Sequence, residues 1–405
     1  MLIKKNDIGL FFQIFIYLIP VGFIQNRTIM VLWYAFLFIN MIITVANAVK
    51  GKVLRKPNGV LCLMFLYLFF QSLSTYLNHG AWIRGIFTEI VVVCLMIFTI
   101  TRIERSFSQF LRVFDAVLLV EILTEITLYL FDLGHFLMDF PCVYIYYSVW
   151  AVVRLLNAQQ GNAKGRILYY ITGFIIVVTI VKPQINSDGT NNYEWTLYIA
   201  SILMCFVYYN RNFIYKQGQW LNIKSVYFIV LVFNLVIVVF QNLSIIPGVK
   251  FLLVNIMHKD ITLSGRTSIW AMAIARIVEK PVWGYGSSFT ELNNSSDFWT
   301  HWLAVYGPHN QFLAICLAGG TITLLSYIIL CIGSTIRLSK CKCNPNAMIL
   351  CIGFLSIYIL LSLTYRNIIN CFPIYILFMI AYRIDDLNEK SNPQLCWGEW
   401  NSWKR

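Results

Sequence analysis

Charge is what this sequence has least of. Only 12% of its 405 residues are Asp, Glu, Lys or Arg, against about 25% in an ordinary soluble domain. A soluble globule needs a polar skin around its core. A chain that is 59% apolar, with a mean hydropathy of +0.69, cannot supply one. This excludes a soluble enzyme, a disordered chain and a fibrous protein. Acidic residues are the scarcer sign, 18 against 31 basic, for a net charge of +13. Other things are missing too. Lys4 and Lys5 precede an apolar run, but Ile19-Pro20-Val21-Gly22 is no A-x-A cleavage site, so a retained first helix is expected. The one close cysteine pair, Cys341-Lys-Cys343, has no second pair to complete a metal site. Most of the other cysteines, such as Cys62, Cys94, Cys205, Cys331 and Cys351, lie inside apolar runs, where a thiol is a small hydrophobe. There is no internal repeat and no low-complexity tract.

What the sequence has instead is long apolar runs. A membrane-crossing helix needs about 20 mainly apolar residues. Twelve runs qualify, at 8–25, 29–48, 59–77, 83–100, 113–131, 137–156, 167–181, 195–210, 224–243, 309–336, 347–363 and 368–383. A β-barrel would show short alternating segments. The expected fold is therefore all-α, a polytopic integral membrane protein of about 12 transmembrane helices. Spans 1–9 occupy residues 1–243, a large external loop runs over 244–308, spans 10–12 occupy 309–383, and a polar tail covers 384–405.

The basic residues orient these spans. With the N-terminus inside, 22 of the 31 Lys and Arg fall on the cytoplasmic side and every inner loop is basic, as the positive-inside rule requires. Both termini are then cytoplasmic. The +13 is largely a topology signal, so nucleic acid is not the partner. All five histidines (His79, His135, His258, His301, His309) fall on the outer side.

The loop between spans nine and ten is where chemistry concentrates. Loops beyond about 12–15 residues are usually functional or disordered, and this one is rich in tryptophan: Trp270, Trp283, Trp299 and Trp302. Its apolar stretch Ile245–Met257 is broken by Pro247, Gly248 and Lys250 and is too short to span. Ser264 can cap a helix that runs to Glu279 and stops before Pro281. On its wheel Arg266, Trp270, Ala273 and Ile277 share a face, while Arg276 sits about 80° from Arg266. Such a helix can lie at the interface with its arginines reaching to headgroups. Val282-Trp283-Gly284-Tyr285-Gly286-Ser287-Ser288 follows. Its Gly284 and Gly286 let backbone approach a ligand, or simply form a turn. Gly307-Pro308-His309-Asn310 then opens span ten. Pro308 suits a first helical turn. His309 near the positive end of the dipole would stay neutral and could act as a base, or serve as a cap.

Taken in order, S-G-R-x3-W, K-P-x-x-G-x-G and P-H-N, in the largest external loop of a twelve-span protein, resemble the O-antigen ligase and polymerase superfamily. These are bacterial polytopic glycosyltransferases that build O-antigen and capsular chains. The resemblance in motifs covers roughly residues 260–335; elsewhere it is one of span count and topology. It implies a glycan donor carried on undecaprenyl pyrophosphate, used at the outer face of the bacterial plasma (inner) membrane. It implies inversion at the anomeric carbon, with no metal and no cofactor. The family's loop arginine maps onto Arg266 and its loop histidine onto His309. A further pyrophosphate-binding arginine is expected, with Arg84 the first candidate and Arg276 and Arg366 after it. Trp270, Gly284, Gly286 and Asn310 complete the expected substrate-binding set. Expected partners are the lipid-linked oligosaccharide, the bilayer, a flippase and a chain-length regulator.

Elementary chemistry agrees with that set. Pyrophosphate is already a good leaving group, so it needs charge neutralisation, which arginine supplies through planar bidentate donors. The acceptor hydroxyl needs one base. A glycosidase would use two flanking carboxylates, and Asp260, Glu279, Glu291 and Asp297 form no convincing pair. The tryptophans fit either sugar stacking or the membrane interface, and Arg84 and Arg366 fit either ligand binding or snorkelling at helix ends. Glu89, Glu121 and Glu125 lie within spans four and five, where an ionisable group is costly. The expectation is a salt bridge to an arginine such as Arg84, with a proton path or a water-lined crevice as alternatives. The leading expectation for function is a polymerase of lipid-linked repeat units. A ligase that transfers finished polymer, and a flippase or other transporter, stand as alternatives.

Overall fold

The computed structural model describes residues 7–18, 27–51, 59–78, 82–130, 266–287, 296–340, 374–380 and 382–383, with single helical positions at 150, 153, 228, 232, 251 and 292. Among these residues every regular element is a helix and there is no strand. The main elements are α1 (Ile8–Leu18), α2 (Arg27–Gly51), α3 (Gly59–Leu77), α4 (Trp82–Leu130), α5 (Arg266–Glu279), α6 (Phe298–Tyr306) and α7 (Gln311–Lys340). Three of them contain stretches long and apolar enough to cross a membrane: Met30–Gly51, Gly59–Leu77 and Gln311–Arg337. The chain is an integral membrane protein. The expected spans at 167–181, 195–210 and 347–363 lie outside the described residues, so the figure of twelve stands on the sequence.

The surface of α2 explains why these helices need lipid. Val31, Leu32, Phe36, Phe38, Ile39, Ile42, Val45 and Val49 are all exposed on it. A water-soluble protein rarely shows a continuous apolar surface of that size, whereas lipid tails solvate it at no cost. Several hydroxyls inside the bundle are satisfied locally. Thr99, Thr101, Ser334 and Thr335 return their hydroxyls to the carbonyl four residues back. Tyr17 Oη and Thr44 Oγ1 share a hydrogen bond of 3.0 Å between α1 and α2.

Two helices carry interruptions. In α4 the backbone is extended at Ser106 (φ −162°, ψ 90°), inside the basic stretch that the sequence reads as the inner loop between spans four and five. Around it, Gln109 and Arg112 donate to Asp7, and Arg102 donates to Gln13. Glu104 pairs with Arg383. In α7 the interruption is Gly320, with φ 72°. The helices α3 and α7 pack antiparallel: Ser74 meets Ala318 near one end, Tyr67 meets Tyr327 with rings 5.9 Å apart, and Gly333 lies by Leu63 near the other. This is the relation expected of spans three and ten. The loop elements gather at the Ser74 end, and the arginine-rich contacts of Arg337, Arg383 and Arg112 lie elsewhere.

Candidate active site

The site is built on four short pieces that bury one apolar cluster. Ile269, Trp270 and Ala273 of α5 pack with Tyr285, Leu292, Leu303 and Ala304, and with Leu313 and Leu317 of α7. The helix expected to run to Glu279 is present as α5 and ends before Lys280-Pro281, while its expected cap, Ser264, lies outside the described residues. Its apolar stripe faces protein rather than lying free at an interface. Its opposite side, Ala271, Ala275 and Val278, is exposed.

The helix α6 is not evident in the sequence. Asp297 caps it, accepting from Thr300 N–H at 2.8 Å, and hydrogen bonds from Thr300 hold the Asp297 carboxyl below its ordinary range. It ends at Gly307, whose φ of 71° suits glycine and whose N–H returns to Leu303 O at 2.8 Å. The cap and the Gly307-Pro308 stop were the available signals.

The turn 281–287 docks into the break of α7. Tyr285 N–H donates to Leu317 O (2.8 Å), Gly286 N–H to Ala318 O (2.9 Å) and Thr321 N–H to Pro281 O (2.8 Å). The backbone groups that an interrupted helix would orphan are thereby satisfied. A Cβ on Gly284 would meet the Leu317 carbonyl, and one on Gly320 would collide with the Val282 carbonyl. Discontinuous helices often mark transporter midplane sites, but here the gap is filled by the chain's own loop. The end of α3 closes the arrangement. The Ser74 hydroxyl lies against Trp283 O and Ala318 O, and Thr75 Oγ1 receives the Ser287 N–H at 3.3 Å. The glycine N–H groups offered to a ligand by the sequence are engaged within the chain: Gly284 N–H donates to Lys280 O and Gly286 N–H to Ala318 O.

Arg276 is also engaged. Its Nη1 donates to both Glu279 oxygens (2.8 and 3.0 Å), and its Nε and Nη2 donate to Thr300 Oγ1 (3.3 and 3.0 Å). Tyr285 Oη donates to Glu279 at 2.8 Å. The Tyr285 bond and then Arg276 hold the Glu279 carboxyl below its ordinary value, and Glu279 raises Arg276 in return. Lys280 Nζ lies 4.8 Å over the Tyr285 ring and reaches Asn78 Oδ1 at 3.2 Å. This chain of contacts ties α5, α6, the turn and α3 together.

The other end of α5 meets the histidine. The Trp270 indole N–H donates to Pro308 O at 2.9 Å, and the Trp270 side chain is 2% exposed. His309 follows at φ 45°, in the left-handed region, which costs a non-glycine residue on the order of 1 kcal/mol. Its ring lies 5.3 Å from that of Trp302, inclined at 55°. Asn310 is buried and caps α7, its Oδ1 accepting from Leu313 N–H at 3.0 Å. The helix therefore starts one residue after Asn310, and Pro308 and His309 precede the cap rather than forming the first turn. Arg266, half-buried, opens α5 one turn before Trp270 on the same face. The Trp270 bond ties α5 to the segment that carries His309 and Asn310, and Arg266 stands one turn before Trp270, while Arg276 lies about 15 Å further along the helix.

Arg84 is in the first turn of α4, with its side chain outside the described residues, and Arg366 lies outside them entirely. Glu89 and Glu121 are buried at 7% exposure, and Glu89 Oε2 and Glu121 Oε1 have no hydrogen-bond partner among the described residues. The side chain of Glu125 is outside them. Among the described residues no cluster of His, Cys, Asp and Glu could hold a metal.

Residues 194–328 match the family model described as O-Antigen ligase. The match covers about a third of the chain and includes α5, α6, the turn, His309 and the start of α7. It supports the O-antigen ligase/polymerase superfamily. Among curated proteins nothing matches the chain.

Proposed function

We propose that this membrane enzyme of O-antigen ligase/polymerase type is an inverting, metal-independent glycosyltransferase that polymerises oligosaccharide repeat units carried on undecaprenyl pyrophosphate. The observation that carries the reading is the hydrogen bond from Trp270 to Pro308 O. It links the helix that begins with Arg266 to the segment that carries His309, which supports reading the two as parts of one site.

The roles follow from charge. Arg266 neutralises the pyrophosphate as negative charge builds on it, with Arg84 as the first further candidate and Arg366 after it. His309 takes the proton of the acceptor hydroxyl. That oxygen bonds to the anomeric carbon as the bond from carbon to the pyrophosphate oxygen breaks. The lipid pyrophosphate leaves with the electron pair, and the anomeric carbon is inverted. The reaction takes place at the outer face of the bacterial inner membrane, with both termini cytoplasmic. A flippase delivers the units and a chain-length regulator acts on the product.

Purified protein given synthetic pyrophosphate-linked repeat units should elongate them, equally with and without chelator. Arg266→Ala and His309→Ala should each lower turnover by about 100-fold or more at equal protein level. Dependence on divalent metal, or undiminished turnover in both variants, sinks the reading. The second reading is a ligase, favoured by the description of the matching family. A null strain lacking long polymer supports the polymerase; polymer made but left on its lipid carrier supports the ligase.

A further inference from the structure

We propose that Trp270 is a positioning residue: its indole N–H sets where the His309 imidazole stands relative to Arg266. The inference rests on the roles given to Arg266 and His309 above and assigns Trp270 to the machinery without contact to the sugar. An indole N–H can donate but not accept. Here it is buried and directed at one backbone oxygen, Pro308 O, at 2.9 Å. Pro308 has a fixed φ and no N–H of its own, so holding its carbonyl fixes the peptide that enters His309. On the other side Asn310 is held as the cap of α7 through Leu313 N–H. His309 is therefore held from both neighbours in a left-handed conformation, φ 45°, that few non-glycine residues adopt. Trp302 then limits the ring, at 5.3 Å.

The second half of the argument concerns register. Trp270 is on the face of α5 that also carries Arg266, one turn away. Whatever holds Trp270 on Pro308 also sets the span between the guanidinium and the imidazole. That span must fit a pyrophosphate and one anomeric carbon. A shift of about 1 Å in such a pairing can cost 100-fold in rate while leaving donor binding intact.

Trp270→Phe keeps the ring that fills the apolar cluster and removes the donor; Trp270→Tyr is made beside it, since its hydroxyl cannot occupy the indole N–H position. Two measurements are read on either variant that folds, reconstituted at full length. The first is kcat and donor KM with a synthetic pyrophosphate-linked repeat unit. A fall in kcat of tenfold or more with KM within about twofold is expected. The second needs no turnover: ethoxycarbonylation of His309 by diethylpyrocarbonate, followed by mass spectrometry, with the exposed His301 as internal reference. The ratio of His309 to His301 labelling is expected to change at least threefold. An unchanged ratio overturns the proposal, whatever the kinetics. A changed ratio with kcat intact overturns it as well, since His309 would then move without consequence. Full activity in His309→Ala refutes the assigned base, and is told apart because the labelling ratio still reports on Trp270.

Discussion

Arg266 and Arg276 share one helix and one charge, and we propose different uses for them. Each of the three guanidinium nitrogens of Arg276 donates inside the chain, to Glu279 and Thr300. Releasing it to bind a ligand would uncover a carboxylate. We therefore expect Arg276→Ala to leave turnover within about threefold of wild type, while Arg266→Ala lowers it by about 100-fold or more. The stability cost should be small, under about 1 kcal/mol, because the Glu279 side chain is 51% exposed and water screens the pair. Differential scanning of the two variants beside their kinetics separates the roles. The pair also sets a pH dependence. The Glu279 carboxyl is held below its ordinary value of 4.5 by Tyr285 and Arg276. Its contribution is full above that ordinary value and is lost as pH falls through the lowered folded one. Melting temperature should thus fall on acidification below about pH 4.5, and Glu279→Gln should blunt the fall. A melting curve of Glu279→Gln as acid-sensitive as wild type would remove Glu279 from that account.

At the scale of elements, the break in α7 holds the most information about how the loop is placed. Gly320 has a φ of 72°, and a Cβ there would collide with the backbone of Val282 and Trp283. Backbone cannot rotate away as a side chain can. Gly320→Ala should therefore separate the 281–287 turn from α7 and cost about 3 kcal/mol or more. Gly59→Ala, at the start of α3 with nothing within 4 Å of the added atom, is the control and should melt as wild type does. The same elements show what could be read from the chain. The helix α3 was legible because its apolar run has the length of a span, and the end of α5 because Pro281 stops it. The docked turn was not: Gly319-Gly320 inside an apolar run reads as continuous helix, and its partner strand of backbone comes from residues some thirty-five positions earlier. The helix α6 was missed because Phe298-Trp299-Thr300-His301-Trp302 is too evenly aromatic to show a period. His309 was expected inside the first turn of span ten, but it lies one residue ahead of the Asn310 cap, since the sequence does not tell a first helical turn from the residues ahead of its cap.

For the whole molecule the question is which end of the bundle faces the outside, and the charge pattern answers it with a test. The helices α3 and α7 run antiparallel, so the end carrying Ser74, the docked turn and Gln311 lies opposite the end carrying Gly59 and Arg337. Twenty-two of 31 basic residues fall on the Arg337 side when loops are assigned alternately, and translocation of Lys and Arg is what the membrane resists. The Gln311 end, with His309 and Arg266, is then expected to be external, the side on which the proposed reaction would join lipid-linked units. Reporter fusions check this directly. A reporter active only outside the membrane, fused after Asn78 or after Lys259, should be active. The same reporter fused after Lys56, Ser106 or Lys340 should be silent, and one that works only in cytoplasm should give the opposite pattern. Silence after Asn78 together with activity after Lys56 would turn the molecule over and leave His309 on the wrong side of the membrane for its proposed chemistry.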